Sequence, residues 1–178
     1  TTLVFLDQNT EGGTGVGVLT LEGDRAATLV IDGEFNETNG ALSPDGRWLA
    51  YNSDETGQYQ VYVRPFPDVD GGRWQISTDG GEWPVWNPAG GELFYRGPTG
   101  VMALAFEIEP TFTPGALTQL FDRTIVGLRG QRMAVSPDGQ RFLLLANATE
   151  NAAGEAAPSQ LVVVQHWFEE LRRLVPTN

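Results

Sequence analysis

The sequence predicts an all-β protein in which a short unit of strands repeats along the chain, and three observations point to this. A tight turn followed by an aromatic strand occurs three times. The three copies lie about 44 and about 49 residues apart. The chain also contains 22 glycines and 11 prolines among its 178 residues, as expected when many short strands are joined by turns.

The clearest copy of the repeat is Ser43–Tyr51, with the sequence Ser-Pro-Asp-Gly-Arg-Trp-Leu-Ala-Tyr. Proline suits the second position of a type I turn because its ring fixes φ near −65°, and the glycine accepts a positive φ at the end of the turn. The aromatic-rich residues that follow indicate a strand packed on both faces. A second copy spans 136–144, and a third, 86–95, keeps the strand but has a degraded turn. We therefore interpret Asp45 as a turn residue.

The spacing of the copies matches one four-stranded blade of a β-propeller, which takes about 40–50 residues. The predicted fold is a partial β-propeller of about three and a half to four antiparallel blades, with a short C-terminal helix. It forms one domain over residues 1–178, with blades at about 2–33, 39–78, 83–122 and 131–167 and the helix at about 167–175. The inner strands are expected at 41–43, 85–87 and 133–136.

The two ends of this predicted partial propeller, which we call the arc, indicate which partners to expect. The first blade is expected to lack its inner strand and the last blade its outer strand. An open arc leaves strand edges that invite pairing. We therefore expect either a homo-oligomer, in which a dimer closes the propeller ring, or a piece of a larger propeller.

Composition excludes several classes of function. The formal net charge is −12, which argues against a nucleic-acid surface because phosphate binding needs a basic patch. All basic residues are arginine, and the chain has no cysteine, so lysine-dependent chemistry, disulfides and thiolate metal sites are excluded. No run approaches the ~18 apolar residues of a membrane span. Neither a cofactor nor a metal is predicted.

The repeat resembles the propeller repeat of the TolB-type, WD-like family. Further segments, taken in order, resemble the C-terminal propeller sensor that follows the kinase domain in certain bacterial serine/threonine protein kinases. These segments are Glu34–Glu37, Val61–Pro67, Trp74–Gly81, Glu92–Tyr95, Phe112–Gly115 and Trp167–Leu171. The resemblance implies a module that senses or binds a protein, peptide or other ligand, located outside the cytoplasmic membrane and without catalytic residues of its own.

The candidate binding site is the mouth of the propeller channel. In this fold the connections between successive blades lie there, and here they are residues 33–40, 79–83 and 127–132. Polar groups that converge with an aromatic ring can hold a small ligand or peptide. The alternative is that they only hydrogen-bond neighbouring loops. The candidate residues are Asn36, Glu37, Asn39, Glu82, Trp83, Arg129 and Arg132.

No catalytic constellation is evident in the sequence. His166 is the only histidine, so a Ser-His-Asp triad would have to use this one residue. The Gly-x-Ser-x-Gly elbow of α/β-hydrolases does not occur. The chain is therefore predicted not to be an enzyme. Two alternatives to a binding module remain: the accessory propeller of a prolyl-oligopeptidase-type peptidase, and a purely structural, self-assembling arc.

Overall fold

The computed structural model describes residues 1–8, 12–109, 111–122, 133–145 and 162–164, the last of these by backbone alone. The described residues form fourteen strands and no helix. The strands make four antiparallel sheets of three, four, four and three strands, in chain order. The all-β prediction and the partial propeller are confirmed, whereas the predicted C-terminal helix lies outside the described residues.

Each sheet is one blade of the arc. Blade 1 contains β1 (Thr2–Asp7), β2 (Gly15–Thr20) and β3 (Ala27–Ile31). Blade 2 contains β4 (Glu37–Leu42), β5 (Trp48–Ser53), β6 (Gln60–Pro65) and β7 (Trp74–Gln75). Blade 3 contains β8 (Glu82–Trp86), β9 (Glu92–Arg96), β10 (Val101–Glu107) and β11 (Thr113–Phe121). Blade 4 contains β12 (Met133–Val135), β13 (Phe142–Leu144) and β14 (Val162–Val164).

The repeated turn joins the first two strands of blades 2, 3 and 4. The Gly46 amide donates to the Ser43 carbonyl over 2.9 Å, and Gly46 has φ of 70°. The Ser43 hydroxyl donates to Asp45 over 2.5 Å and accepts from the Trp48 amide over 3.0 Å. In the degraded copy Asn87 replaces the serine, and its carbonyl accepts from the Gly90 amide over 2.8 Å. Asp45 is thus a turn residue, as predicted.

The inner strands of blades 2 and 3 begin earlier than predicted. β4 starts at Glu37 and β8 at Glu82, in segments that the sequence assigned to connections. In each strand one extra residue bulges out of the ladder, between Thr38 and Ala41 in β4 and between Glu82 and Val85 in β8. A bulge adds a residue without ending the pairing, so the strand continues where sequence pattern alone indicates a loop.

The blades pack face to face, and the largest core lies between blades 2 and 3. Phe112 is fully buried there. Its ring centroid lies 5.3 Å from that of Trp48, 5.5 Å from that of Trp74 and 5.2 Å from that of Phe106. Such offset and tilted aromatic pairs add stabilisation beyond the apolar area that they bury. This cluster therefore holds the two four-stranded blades together.

The interface between blades 1 and 2 and the interface between blades 3 and 4 are also packed with apolar and aromatic side chains. Val16 and Ile31 of blade 1 pack with Tyr51 of blade 2 in a second core. Phe94 of blade 3 meets Phe142 of blade 4 edge to face, with ring centroids 4.9 Å apart. Each described blade thus buries at least one face against a neighbouring blade.

We predict that Phe112→Ala lowers the free energy of unfolding by about 3–5 kcal/mol, because it removes a buried ring and leaves a cavity among three others. Urea unfolding measures this change. Leu117→Ala on the exposed outer strand β11 is the control and should change stability by no more than about 0.5 kcal/mol. Equal effects of the two substitutions would show that the aromatic cluster does not join the blades.

Candidate binding face at the start of the inner strands

The two bulges form a repeated and strained feature at one end of the blades. Asn39 has φ of 53° and Trp83 has φ of 54°. Each residue precedes the turn residue of its blade, Ser43 or Asn87, by the same number of positions. Left-handed backbone is unfavourable for a non-glycine residue, and such strain often occurs at functional sites. We call the end of the blades that carries these bulges the bulge face.

Asn36 is held by the turn between β5 and β6. Its backbone amide donates to Asp54 Oδ1 over 2.9 Å, and its side-chain amide donates to Asp54 Oδ2 over 2.7 Å. The Asn39 side chain donates to the Thr38 hydroxyl over 3.1 Å. These bonds correspond to the structural alternative, in which the predicted residues hydrogen-bond neighbouring groups.

Glu37 is the most unusual of the predicted residues because it is a carboxylate that is only 5% exposed. The Ser53 hydroxyl donates to its Oε1 over 3.1 Å, whereas Oε2 has no hydrogen-bond partner among the described residues. Burial raises the pKa of Glu37 above its ordinary value. The hydrogen bond from Ser53 and the nearby Gly33 backbone lower this pKa, and the negative charge of Asp54 raises it further.

Glu82 and Trp83 are both tied to the same arginine of β9. Arg96 donates to Glu82 Oε2 over 2.9 Å, and its guanidinium lies 5.3 Å from the centre of the Trp83 ring. Trp83 is 7% exposed and belongs to the core between blades 3 and 4. Its indole therefore stabilises the blade interface and does not form an open stacking surface.

Tyr59 lies among charged groups at this face, and sequence reasoning missed it. It lies in the turn between β5 and β6, half-buried, and hydrogen-bonds Thr38. Burial raises the pKa of its hydroxyl, and the charges of Asp54, Glu82 and Glu37 raise it further. The predicted strand order could have located Tyr59, because antiparallel strands bring the β5–β6 turn to the end of the blade where β4 starts.

Two candidate residues, Arg129 and Arg132, lie outside the described residues, as does His166. Arg132 precedes Ser136 by the interval that separates Asn39 from Ser43. The sequence interval therefore aligns Arg132 with Asn39 and Trp83 of the preceding repeats. This correspondence remains a prediction.

The described part of the chain contains no group of three or more acidic, histidine or cysteine side chains arranged to hold a metal ion. Nor does that part contain a helix long and apolar enough to cross a membrane. The bulge face offers carboxylates, amides and a phenol, which can form hydrogen bonds and ion pairs.

No family model matches the sequence. A curated relative, an uncharacterised protein of Agrobacterium fabrum, is 38% identical over 72 residues, which cover 38% of this chain and 23% of that protein. The chain therefore matches less than a quarter of that relative's length.

Solved structures show the same fold at low identity. A protein assigned as TolB from Agrobacterium tumefaciens has a TM-score of 0.53 at 20% identity, over 68% of this chain and 46% of that chain. The periplasmic gluconolactonase of Pseudomonas aeruginosa has a TM-score of 0.54 at 18% identity, over 92% and 53%. A protein assigned as a 6-phosphogluconolactonase from Bacteroides uniformis has a TM-score of 0.50 at 15% identity, over 85% and 49%. The fold is TolB-like, and the chain spans about half the length of these propellers.

The prediction that the chain is not an enzyme is wrong. Two of the solved propellers that share this fold carry the names of lactonases. The prediction rested on the absence of a recognisable catalytic constellation, such as a Ser-His-Asp triad or the hydrolase elbow, which belongs to a different fold. Propellers place functional groups at the channel without that motif, so its absence excludes one mechanism and leaves others open.

We predict that Glu37→Gln stabilises the fold at neutral pH. The raised pKa means that the folded state binds the Glu37 proton more tightly than the unfolded state, so stability is lost as pH rises above about 4.5. Glutamine removes this loss and can still accept from Ser53. Thermal unfolding at pH 4 and pH 7 measures the difference.

The melting temperature of Glu37→Gln relative to the unmodified chain should therefore increase from pH 4 to pH 7. Glu107→Gln, an exposed substitution on β10 with the same change in net charge, is the matched control and should show no such increase. A Glu37→Gln variant that becomes relatively less stable at pH 7 would contradict this interpretation.

Proposed function

We propose that the chain is one half of a β-propeller that binds a protein or peptide ligand at the bulge face. The observation that supports this most strongly is the strained bulge at the same position of two inner strands, Asn39 in β4 and Trp83 in β8. Repeated strain at one end of the blades is explained if that end is a recognition surface. Besides burial, carboxylates of both blades, Asp54 and Glu37 of blade 2 and Glu82 of blade 3, raise the pKa of Tyr59 there.

Closure of the ring by a second copy is part of this proposal. In blade 4, Phe142 and Leu144 pack against blade 3, so the intervening Leu143 points the other way, and it is 44% exposed. In blade 1, Val4 packs towards blade 2, whereas Leu3 is 47% exposed. A second copy would cover both end faces, and two copies would match the length of the solved propellers.

The role as a kinase sensor and the cellular location are each proposed from a single observation. The order of the motifs supports a role like that of the propeller sensor of bacterial serine/threonine kinases. One solved propeller of this fold is named as periplasmic, which supports an extracytoplasmic location. Fractionation of the source cells, with an antibody against this chain, tests the location: recovery in the cytoplasm alone would contradict it.

We predict that peptides selected from a random 12-residue display library bind the unmodified chain and lose about tenfold in affinity on the double variant Asn39→Gly and Glu82→Gln. Glycine tolerates the left-handed backbone at position 39, so the bulge remains while the Asn39 amide and the charge of Glu82 are removed. Titration by fluorescence anisotropy measures the affinities.

The control for this selection is the double variant Arg47→Gln and Glu109→Gln. These residues form an exposed ion pair, 3.1 Å between Arg47 Nη1 and Glu109 Oε1, and Arg47 lies at the opposite end of β4. Peptide affinity should be unchanged in this variant. If both double variants bind equally well, the bulge face is not the recognition surface.

A further inference from the structure

A cavity lies between blades 1 and 2 and shares Glu37 with the bulge face. Its volume is about 410 Å³, within the range of small-molecule sites. One wall is formed by β3 and the connection that follows it, residues 29–35. The other wall is formed by side chains of blade 2. Both walls belong to one chain, so the cavity does not depend on ring closure.

The two positive charges in this cavity are already paired. Arg73 Nη2 lies 2.5 Å from Glu55 Oε1. Arg64 donates from Nε to the Tyr51 hydroxyl over 3.0 Å, and its Nη1 lies 3.6 Å from Asp70 Oδ1. Each guanidinium is therefore paired with a carboxylate of the same wall. Burial raises the pKa of Glu37, whereas the charge of Arg73 lowers it.

Three further carboxylates line the cavity, and none forms an ion pair with a described residue. Asp32 and Glu34 are exposed, and Glu37 is buried. Oε2 of Glu37 is both buried and without a hydrogen-bond partner among the described residues. A buried carboxylate oxygen without a donor is costly. The unbalanced charge of the cavity is therefore negative, and the group that it lacks is a cationic hydrogen-bond donor.

Gly33 lies directly beside this carboxylate. A Cβ at position 33 would lie 3.3 Å from both carboxylate oxygens of Glu37, so any side chain there would crowd the carboxylate. The chain contains no lysine. No side-chain ammonium group of this sequence can thus balance Glu37, so an ammonium partner has to come from outside this sequence.

We propose that the cavity between blades 1 and 2 binds an aliphatic ammonium group, with Glu37 Oε2 as the inner acceptor and Asp32 and Glu34 at the rim. Because Ser53 occupies Oε1, the carboxylate has one free oxygen, which suits a single ammonium donor better than the two-pronged fork of a guanidinium. The ammonium belongs to a free amine or to a lysine side chain of a peptide. This site goes beyond the proposed peptide recognition at the bulge face.

The experiment titrates the intact chain with 1,5-diaminopentane and, as a neutral match of similar shape, 1,5-pentanediol, followed by backbone amide shifts in NMR. The diamine should shift amides of residues 29–37, and the diol should not. A second arm compares the diamine with the peptide acetyl-Ala-Lys-Ala-amide. Whichever of these two ligands binds more tightly identifies the source of the ammonium group as a free amine or a peptide lysine.

Two variants and one control make the test specific. Glu37→Gln removes the charge but keeps an acceptor for Ser53, and Gly33→Ala keeps the charge but fills the approach. Each should weaken diamine binding by about tenfold or more, with unfolding curves showing that both variants are folded. Glu107→Gln should bind like the unmodified chain.

The proposal is overturned if the diol binds as well as the diamine, if Glu37→Gln binds the diamine with unchanged affinity, or if neither amine binds the folded, unmodified chain. These outcomes are independent of the peptide selection, because Asn39 and Glu82 do not line this cavity.

Discussion

The structure depends on one constraint: a blade of this size has two apolar faces, and both must be covered. The four-stranded sheets satisfy it by packing face to face, as the rings around Phe112 do between blades 2 and 3. The hydrogen bond from Trp86 Nε1 to the Ala41 carbonyl, 2.9 Å long, adds a polar tie between the inner strands. The same constraint leaves the outward faces of the first and last sheets without a described neighbour, which is the physical basis for proposing a second half.

The packing also explains how much of the fold the sequence could predict. The turn at Ser43 is local chemistry, since proline, aspartate and glycine specify it without distant contacts. The start of β4 is not local. A left-handed Asn39 is tolerated because the bulged strand is held by β5, and by blade 1 through the hydrogen bond from the Glu37 amide to the Thr14 carbonyl, 2.9 Å. No short sequence pattern encodes such support.

In the candidate site, too, locally encoded features could be predicted from the sequence, whereas features that depend on packing could not. Sequence reasoning located the connections between blades and so found Glu37 and Glu82, which the structure places at strand starts, because propeller connections lie at one end of the blades. It missed Tyr59 and Arg96, whose roles arise from neighbouring strands and turns. It expected Trp83 at an open surface, whereas the indole fills the core between blades 3 and 4. Burial is a property of the assembled blades, so it could not be inferred from one segment.

Cross-linking of the two end faces tests ring closure most directly. The chain has no cysteine, so Leu3→Cys combined with Leu143→Cys gives two unique thiols. With a bismaleimide of about 10 Å span, long enough to join side chains across two packed sheets, this account predicts covalent dimers at dilute concentration. Leu117→Cys with Leu143→Cys is the control and should stay monomeric. If the first variant forms no cross-linked dimer, or if both variants form equal amounts of it, closure of the ring by a second copy is contradicted.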